Sequence, residues 1–123
     1  MNFDHLENWI SRINAGNLEQ VVSMYSNEAL LFATFEEKPL NNPSSIRKYF
    51  EIFLSREEAG VEVDPSTISH SELGKSNYSS TGLYTFFFKE GDQLVRQKAR
   101  FTFIFNNQNS GSILHHHSSV IPT

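Results

Sequence analysis

The stretch SSTGLYTFFFKEGDQLVRQKARFTFIFN, residues 79–106, decides the fold. Glu90-Gly91-Asp92 divides it with a turn signal, and each half is rich in aromatic residues, Thr and Val, so it reads as a hairpin of long strands, Ser79–Lys89 and Gln93–Asn106. In the second strand Phe101, Phe103 and Phe105 alternate with Arg100 and Thr102, the period of a strand with one buried face. That places Arg100 outward or at a subunit contact; if both faces are covered, it could hold an anion. The first strand is apolar on both faces over Tyr84-Thr85-Phe86-Phe87-Phe88, which implies a sheet covered on both sides. In a short chain the simplest outer cover is a second copy, so a homodimer is expected.

Further strands are expected on either side: Val61–His70 with a turn at Asp64-Pro65, and Ser112–Val120 after a turn over Asn106–Gly111. Ser71–Ser80, with Gly74 and Asn77, reads as a turn plus part of another strand. All are expected to be antiparallel. Upstream, helical spacing takes over. Leu6, Trp9, Ile10 and Ile13 form one stripe, with Asp4 as the expected cap and Gly16 as the stop. Asn17 then caps a second helix with Leu18, Val21, Val22 and Tyr25 on one face. Ala29–Phe35 reads as a short strand ended by Thr34. Asn42-Pro43 supplies the cap and first-turn proline of a third helix, with Ile46, Tyr49, Phe50, Phe53 and Leu54 along its stripe. Helices first and strands afterwards give an α+β fold, a curved antiparallel sheet packed on three helices, with a pocket between the layers.

The chain of 123 residues is one domain, 1–123. Eleven Phe within an apolar fraction of 38% supply a compact core and rule out wholesale disorder. Ten Lys and Arg stand against 14 Asp and Glu, for a formal charge of −4, and no basic stripe tracks a phosphate backbone, so nucleic acid is not an expected partner. With no cysteine, thiolate metal sites, disulfides and cysteine nucleophiles are excluded. The opening MNFDHLENWI is acidic where a secretory signal is basic, and no apolar run approaches the roughly 18 residues of a membrane span. A cytoplasmic location is the expectation, without membrane association.

The unusual string is His115-His116-His117-Ser118-Ser119. On a strand, His115, His117 and Ser119 share one face with Ile113, while Leu114, His116 and Ser118 share the other. Whichever face is buried must satisfy at least one imidazole. His115 and His117 could present two nitrogens to a metal, yet neither His5 nor His70 has a spacing that supplies the third ligand, so no metal site is expected. Ser119 lacks the glycine context of a nucleophile elbow. Thr34 and Tyr49 gain interest as a pair, since both elements could face the same Phe-rich concavity as His117 and Ser119.

Several strings now become familiar. The helix pair, VVSMYSNEALLFATF, IRKYFEIFL, STGLYTFFFKEGDQLVRQKARFTFIF and ILHHHSSVIP together resemble the cystatin-like cone fold of nuclear-transport-factor-two-like proteins, in the branch of the calmodulin-dependent kinase association domain. The closing HHHSS is similar to the iota-class carbonic anhydrases, small domains of this fold that hydrate carbon dioxide without needing a bound metal. The resemblance implies a pocket of Thr34, Tyr49, His117 and Ser119 that fixes a water and the bicarbonate oxygens, with His117 handling the proton. His115 and Arg100 are the expected substrate-binding residues; no cofactor is expected. The alternative class is a non-catalytic domain of the same fold that binds a small ligand or assembles oligomers. A ketosteroid-isomerase-like enzyme would instead need a pocket carboxylate, and Glu36, Glu37, Glu57 and Glu58 fall in loops or at helix ends.

Overall fold

The structure, a computed structural model, describes residues 1–123. Two helices, α1 (His5–Asn14) and α2 (Leu18–Ser23), lead into β1 (Tyr25–Phe32), and α3 (Pro43–Leu54) follows. The remaining strands are β2 (Glu57–Val63), β3 (Ser69–Leu73), β4 (Asn77–Glu90), β5 (Gln93–Asn106) and β6 (Ile113–Val120). They form one six-stranded sheet in the order β1-β6-β5-β4-β2, with β3 also paired to β4. The α+β class is as expected, with the helices on one face of a curved sheet.

Asn17 and Asn42 cap α2 and α3 as their side chains suggest, accepting from the Gln20 and Ser45 backbone N–H groups. Asp4 makes no cap hydrogen bond, because its own backbone is already helical (φ −84°, ψ −11°) and its carboxylate cannot turn back onto the first amides. The second helix stops at Ser23, so Tyr25 opens β1 instead of extending the α2 stripe. β1 ends at Phe32, short of Thr34. The 61–70 region is two strands, split by a 3-10 turn over Pro65–Thr67 in which Asp64 accepts from the Ser66 amide. The sheet is mixed: β1 runs parallel to β6, correcting the all-antiparallel expectation. Residue pattern along a strand reports its faces but not the direction of its neighbour.

The 79–106 reading holds closely. β4 and β5 pair from Asn77↔Asn106 to Glu90↔Gln93. Phe101, Phe103 and Phe105 face inward, Phe103 meeting the edge of Trp9 from α1, Phe50 and Phe53 of α3 belong to the same core, and Arg100 faces out. From β4, Tyr84, Phe86 and Phe88 join this core. Phe87 points the other way and packs over Gly60 of β2, where an added Cβ would lie 2.5 Å from its Cζ. The Asn14 side chain pairs with the edge of β2, donating to the Val61 carbonyl (2.9 Å) and accepting from its N–H (2.8 Å), which fastens α1 to an edge strand. No helix is long and apolar enough to cross a membrane.

Candidate functional site

β6 sets the site through one irregularity. Its register against β5 pairs Ile113 with Phe105 but His115 with Ile104, so Leu114 is an extra residue in a β-bulge. One inserted residue reverses the alternation that follows. Ile113 is buried, and the next inward residues are His116 (2% exposed) and Ser118 (5%), not His115, His117 and Ser119.

This corrects the sequence reading of the HHHSS strand. His117 is exposed on the outer face, where it stacks on Phe32 with ring centroids 5.1 Å apart. Ser119 is on the same face, accepting from Arg100 Nε at 3.1 Å, and neither residue joins Thr34 or Tyr49. His115, half-buried and also outward, lies beside Phe32 at 6.1 Å. Arg100, His117 and Ser119 line an outer groove of about 440 Å³ with Thr81 and Thr102, so the expected substrate-binding residues are on the far side of the sheet from Thr34. His115 and His117 gain no third ligand: no group of three His, Asp or Glu side chains is placed to hold a metal ion.

Inside, a continuous row of polar groups crosses the apolar core. Trp9 Nε1 donates to the Tyr25 hydroxyl at 3.2 Å. That hydroxyl bonds His116 Nδ1 at 2.9 Å, and the Tyr84 hydroxyl bonds His116 Nε2 at 3.0 Å. Ser118 and Thr34 share a hydrogen bond, and both also interact with the Tyr84 hydroxyl. The His116 ring is sandwiched in place, stacked on Phe103 (3.8 Å between centroids) with the Trp9 ring edge-on at 5.4 Å. Every polar atom of the imidazole is therefore matched, as burial requires.

Burial sets the protonation states. It holds His116 well below the ordinary histidine range, and the neighbouring His115 and His117 act in the same direction, so the ring is neutral. Burial likewise raises Tyr25 and Tyr84, the Trp9 bond opposing it at the first and the Ser118 and Thr34 bonds at the second. These phenols stay protonated near neutral pH.

Tyr49 stands at the other end, projected from α3. Burial pushes its hydroxyl up to about 12, with a backbone interaction from Phe35 opposing that shift. Tyr49 and Phe35, the residue after Thr34, line a cleft of about 370 Å³ with Phe53 and Ile52. Glu36, Lys48 and Arg56 lie exposed along it. Thr34 thus bonds Ser118 beside the Tyr84 hydroxyl, Tyr49 lies on the α3 wall of the cleft, and neither meets His117 or Ser119. The sequence carried one signal for Tyr84, a hydroxyl among Phe residues on the decisive strand, and none for the bulge.

The family model of the SnoaL-like domain matches residues 4–123. A search of the curated proteins found no match. Among solved structures, a candidate calcium/calmodulin dependent protein kinase II association domain from Xanthomonas campestris is similar at a TM-score of 0.84 and 24% identity, covering 97% of this chain and 84% of that one. A candidate dehydratase of the nuclear-transport-factor-two-like family from Streptomyces avermitilis gives 0.80 and 14%, covering 97% and 94%. A nuclear-transport-factor-two-like protein of cystatin-like fold from Novosphingobium aromaticivorans gives 0.74 and 6%, covering 94% and 77%. These likenesses show the cystatin-like fold, and the match along nearly its whole length shows that the chain belongs to the SnoaL-like domain family.

Proposed function

We propose that the chain is an enzyme that hydrates carbon dioxide reversibly to bicarbonate, without needing a metal, at the Thr34–Ser118 pair. The observation that carries this reading is the buried polar row in which His116 bonds Tyr84 and Thr34 bonds Ser118 beside it, with Phe35, the residue after Thr34, lining the neighbouring cleft. The HHHSS string supports it, with His116 and Ser118 replacing His117 and Ser119 as the inward pair. Tyr49 is the fourth hydroxyl, where the cleft meets the 34–35 segment.

Hydration needs an apolar berth for carbon dioxide and donors aimed at the oxygen that becomes negative. Phe35 and Phe53 supply the berth. As the water oxygen bonds to carbon, one C=O electron pair moves onto oxygen and is held by the Thr34–Ser118 pair, while the water's proton leaves to solvent through the cleft. A preorganised donor of this kind contributes roughly 10²- to 10³-fold. Lys48 and Arg56 along the cleft favour an anionic product there.

A second reading, acid/base chemistry on a larger organic substrate, is favoured by Glu36, a carboxylate on the same cleft as Tyr49. Stopped-flow carbon dioxide hydration by chelator-treated protein, with metal content measured on the same sample, separates the two. Activity in the metal-free protein that falls in Ser118→Ala supports the hydratase. No activity in metal-free or metal-replete protein overturns it in favour of the larger substrate or of simple ligand binding, and activity only with metal overturns the metal-free mechanism.

A further inference from the structure

The row from Trp9 to Thr34 has a direction, and counting protons fixes it. Trp9 Nε1–H can only donate, so the Tyr25 oxygen accepts from it. The Tyr25 hydroxyl has one other partner, His116 Nδ1, and its proton has nowhere else to go. Nδ1 must therefore be the bare, accepting nitrogen. A neutral ring then carries its proton on Nε2 and donates it to the Tyr84 oxygen. With its oxygen taken up by His116, Tyr84 has only the neighbouring Ser118 and Thr34 hydroxyls as acceptors in the row for its own proton, and these two share one further proton between them. Whichever order they adopt, one hydroxyl proton is left over at the Thr34–Ser118 pair with no acceptor inside the row.

We propose that this leftover proton makes the site a hydrogen-bond donor of fixed direction, so that it takes ligands through an acceptor oxygen, with Trp9, Tyr25 and His116 as positioning residues that hold the direction. The reverse order would strand the Tyr25 proton without an acceptor in the core, which burial penalises. Donors aligned head to tail polarise one another, so the terminal hydroxyl is a better donor than an isolated serine. His116 cannot take a proton from the substrate side in this arrangement, since its facing nitrogen is already protonated. The histidine of this site acts by donating, which changes the role that the HHHSS resemblance implies for its histidine. The ligand class follows from the chemistry: bicarbonate, a carboxylate or a polarised carbonyl fits, and a ligand offering only donors does not. This deepens the hydratase reading and rests on the same site, but the proton order is independent of whether carbon dioxide is the substrate.

The test is side-chain ¹⁵N NMR of the labelled full chain at neutral pH, followed by titration with sodium bicarbonate. The expected spectrum is one neutral His116 tautomer, protonated on Nε2, with saturable shifts at Thr34 and Ser118. Tyr25→Phe removes the donor to Nδ1, and in that variant, once its amide spectrum shows it folded, the single tautomer gives way to a mixture and bicarbonate binding weakens. An Nδ1–H ring or an imidazolium in the wild type overturns the proposal, a reading that needs no variant to fold. So does a folded Tyr25→Phe with unchanged tautomer and unchanged bicarbonate affinity. A correct tautomer with no carbon dioxide hydration leaves the donor site standing and removes only the hydratase.

Discussion

Thr34 and Ser118, 84 positions apart in the chain, share a hydrogen bond across the inner end of the sheet, while Ser119 one residue away bonds Arg100 on the other face. Two adjacent serines are thereby assigned to opposite sides of one strand. Ser118→Ala or Thr34→Val should lower carbon dioxide hydration by roughly 10²-fold, since each removes a donor from the developing oxyanion. Ser119→Ala and His117→Ala should keep near wild-type rates. Stopped-flow assays of the four variants, with circular dichroism to check folding, decide between the two parities. Loss in the Ser119 variant with none in the Ser118 variant would reverse the assignment.

The outer face of the sheet bears on assembly. Leu83 and Leu94, on outward positions of β4 and β5, are 37% and 55% exposed, and Leu83 sits in the same cross-strand row as Arg100 and Ser119. A homodimer through this face is our proposal, since a second copy would cover both leucines. Sedimentation at micromolar concentration should give the mass of two chains, and Leu83→Asp should give that of one. A wild-type protein that sediments as a monomer rules the dimer out.

How much of this was legible in the sequence depends on the distance over which the signal acts. Asn17, Asn42 and Pro43 marked helix starts because capping is a contact between residues three apart. The Phe101–Phe105 alternation marked a buried face because side-chain direction along a strand is local. The bulge at Leu114 was not legible, because it exists only in the register between two strands, and nothing in Ile-Leu-His-His-His says which residue is the extra one. That single residue turned His117 and Ser119 outward. The parallel pairing of β1 with β6 was hidden for the same reason, and with it the contact of Thr34 with Ser118.

Gly60 is a steric requirement of the β2–β4 pairing. An added Cβ there would meet two Phe87 ring atoms at 2.5 and 2.6 Å and the Asn14 side-chain oxygen at 2.8 Å. Gly60→Ala should therefore destabilise the fold by about 1–3 kcal/mol, the usual cost of overpacking. Phe87→Leu in the same chain should return part of that loss by vacating the ring position. Urea unfolding of the two single variants and the double variant measures the coupling. Strict additivity would show that the clash is relieved elsewhere.

Acid should weaken the fold from a higher pH than the carboxylates alone explain. His116 is held neutral by burial among Trp9, Tyr25, Tyr84 and Phe103, with His115 and His117 beside it on β6. Below about pH 6.5 an unfolded histidine binds a proton that the folded ring refuses. The unfolded state then binds more protons, so stability falls as pH falls and is level above that window. His116 alone gives a slope of no more than about 1.4 kcal/mol per pH unit. His5 and His115, also lowered by burial but partly exposed, add smaller effects of the same sign. The Glu19–Arg47 pair acts in a separate window, since Glu19 is held low by its Arg47 hydrogen bond and that stabilisation is lost only as the carboxylate protonates. Urea midpoints between about pH 7 and pH 5 should therefore decline steadily in the wild type, in the histidine range. His116→Phe, which keeps an aromatic ring against Phe103, should lower the midpoint at neutral pH by stranding the Tyr25 proton and should flatten the decline. An equally steep decline in that variant would place the acid sensitivity in another group and remove the buried neutral imidazole as its source.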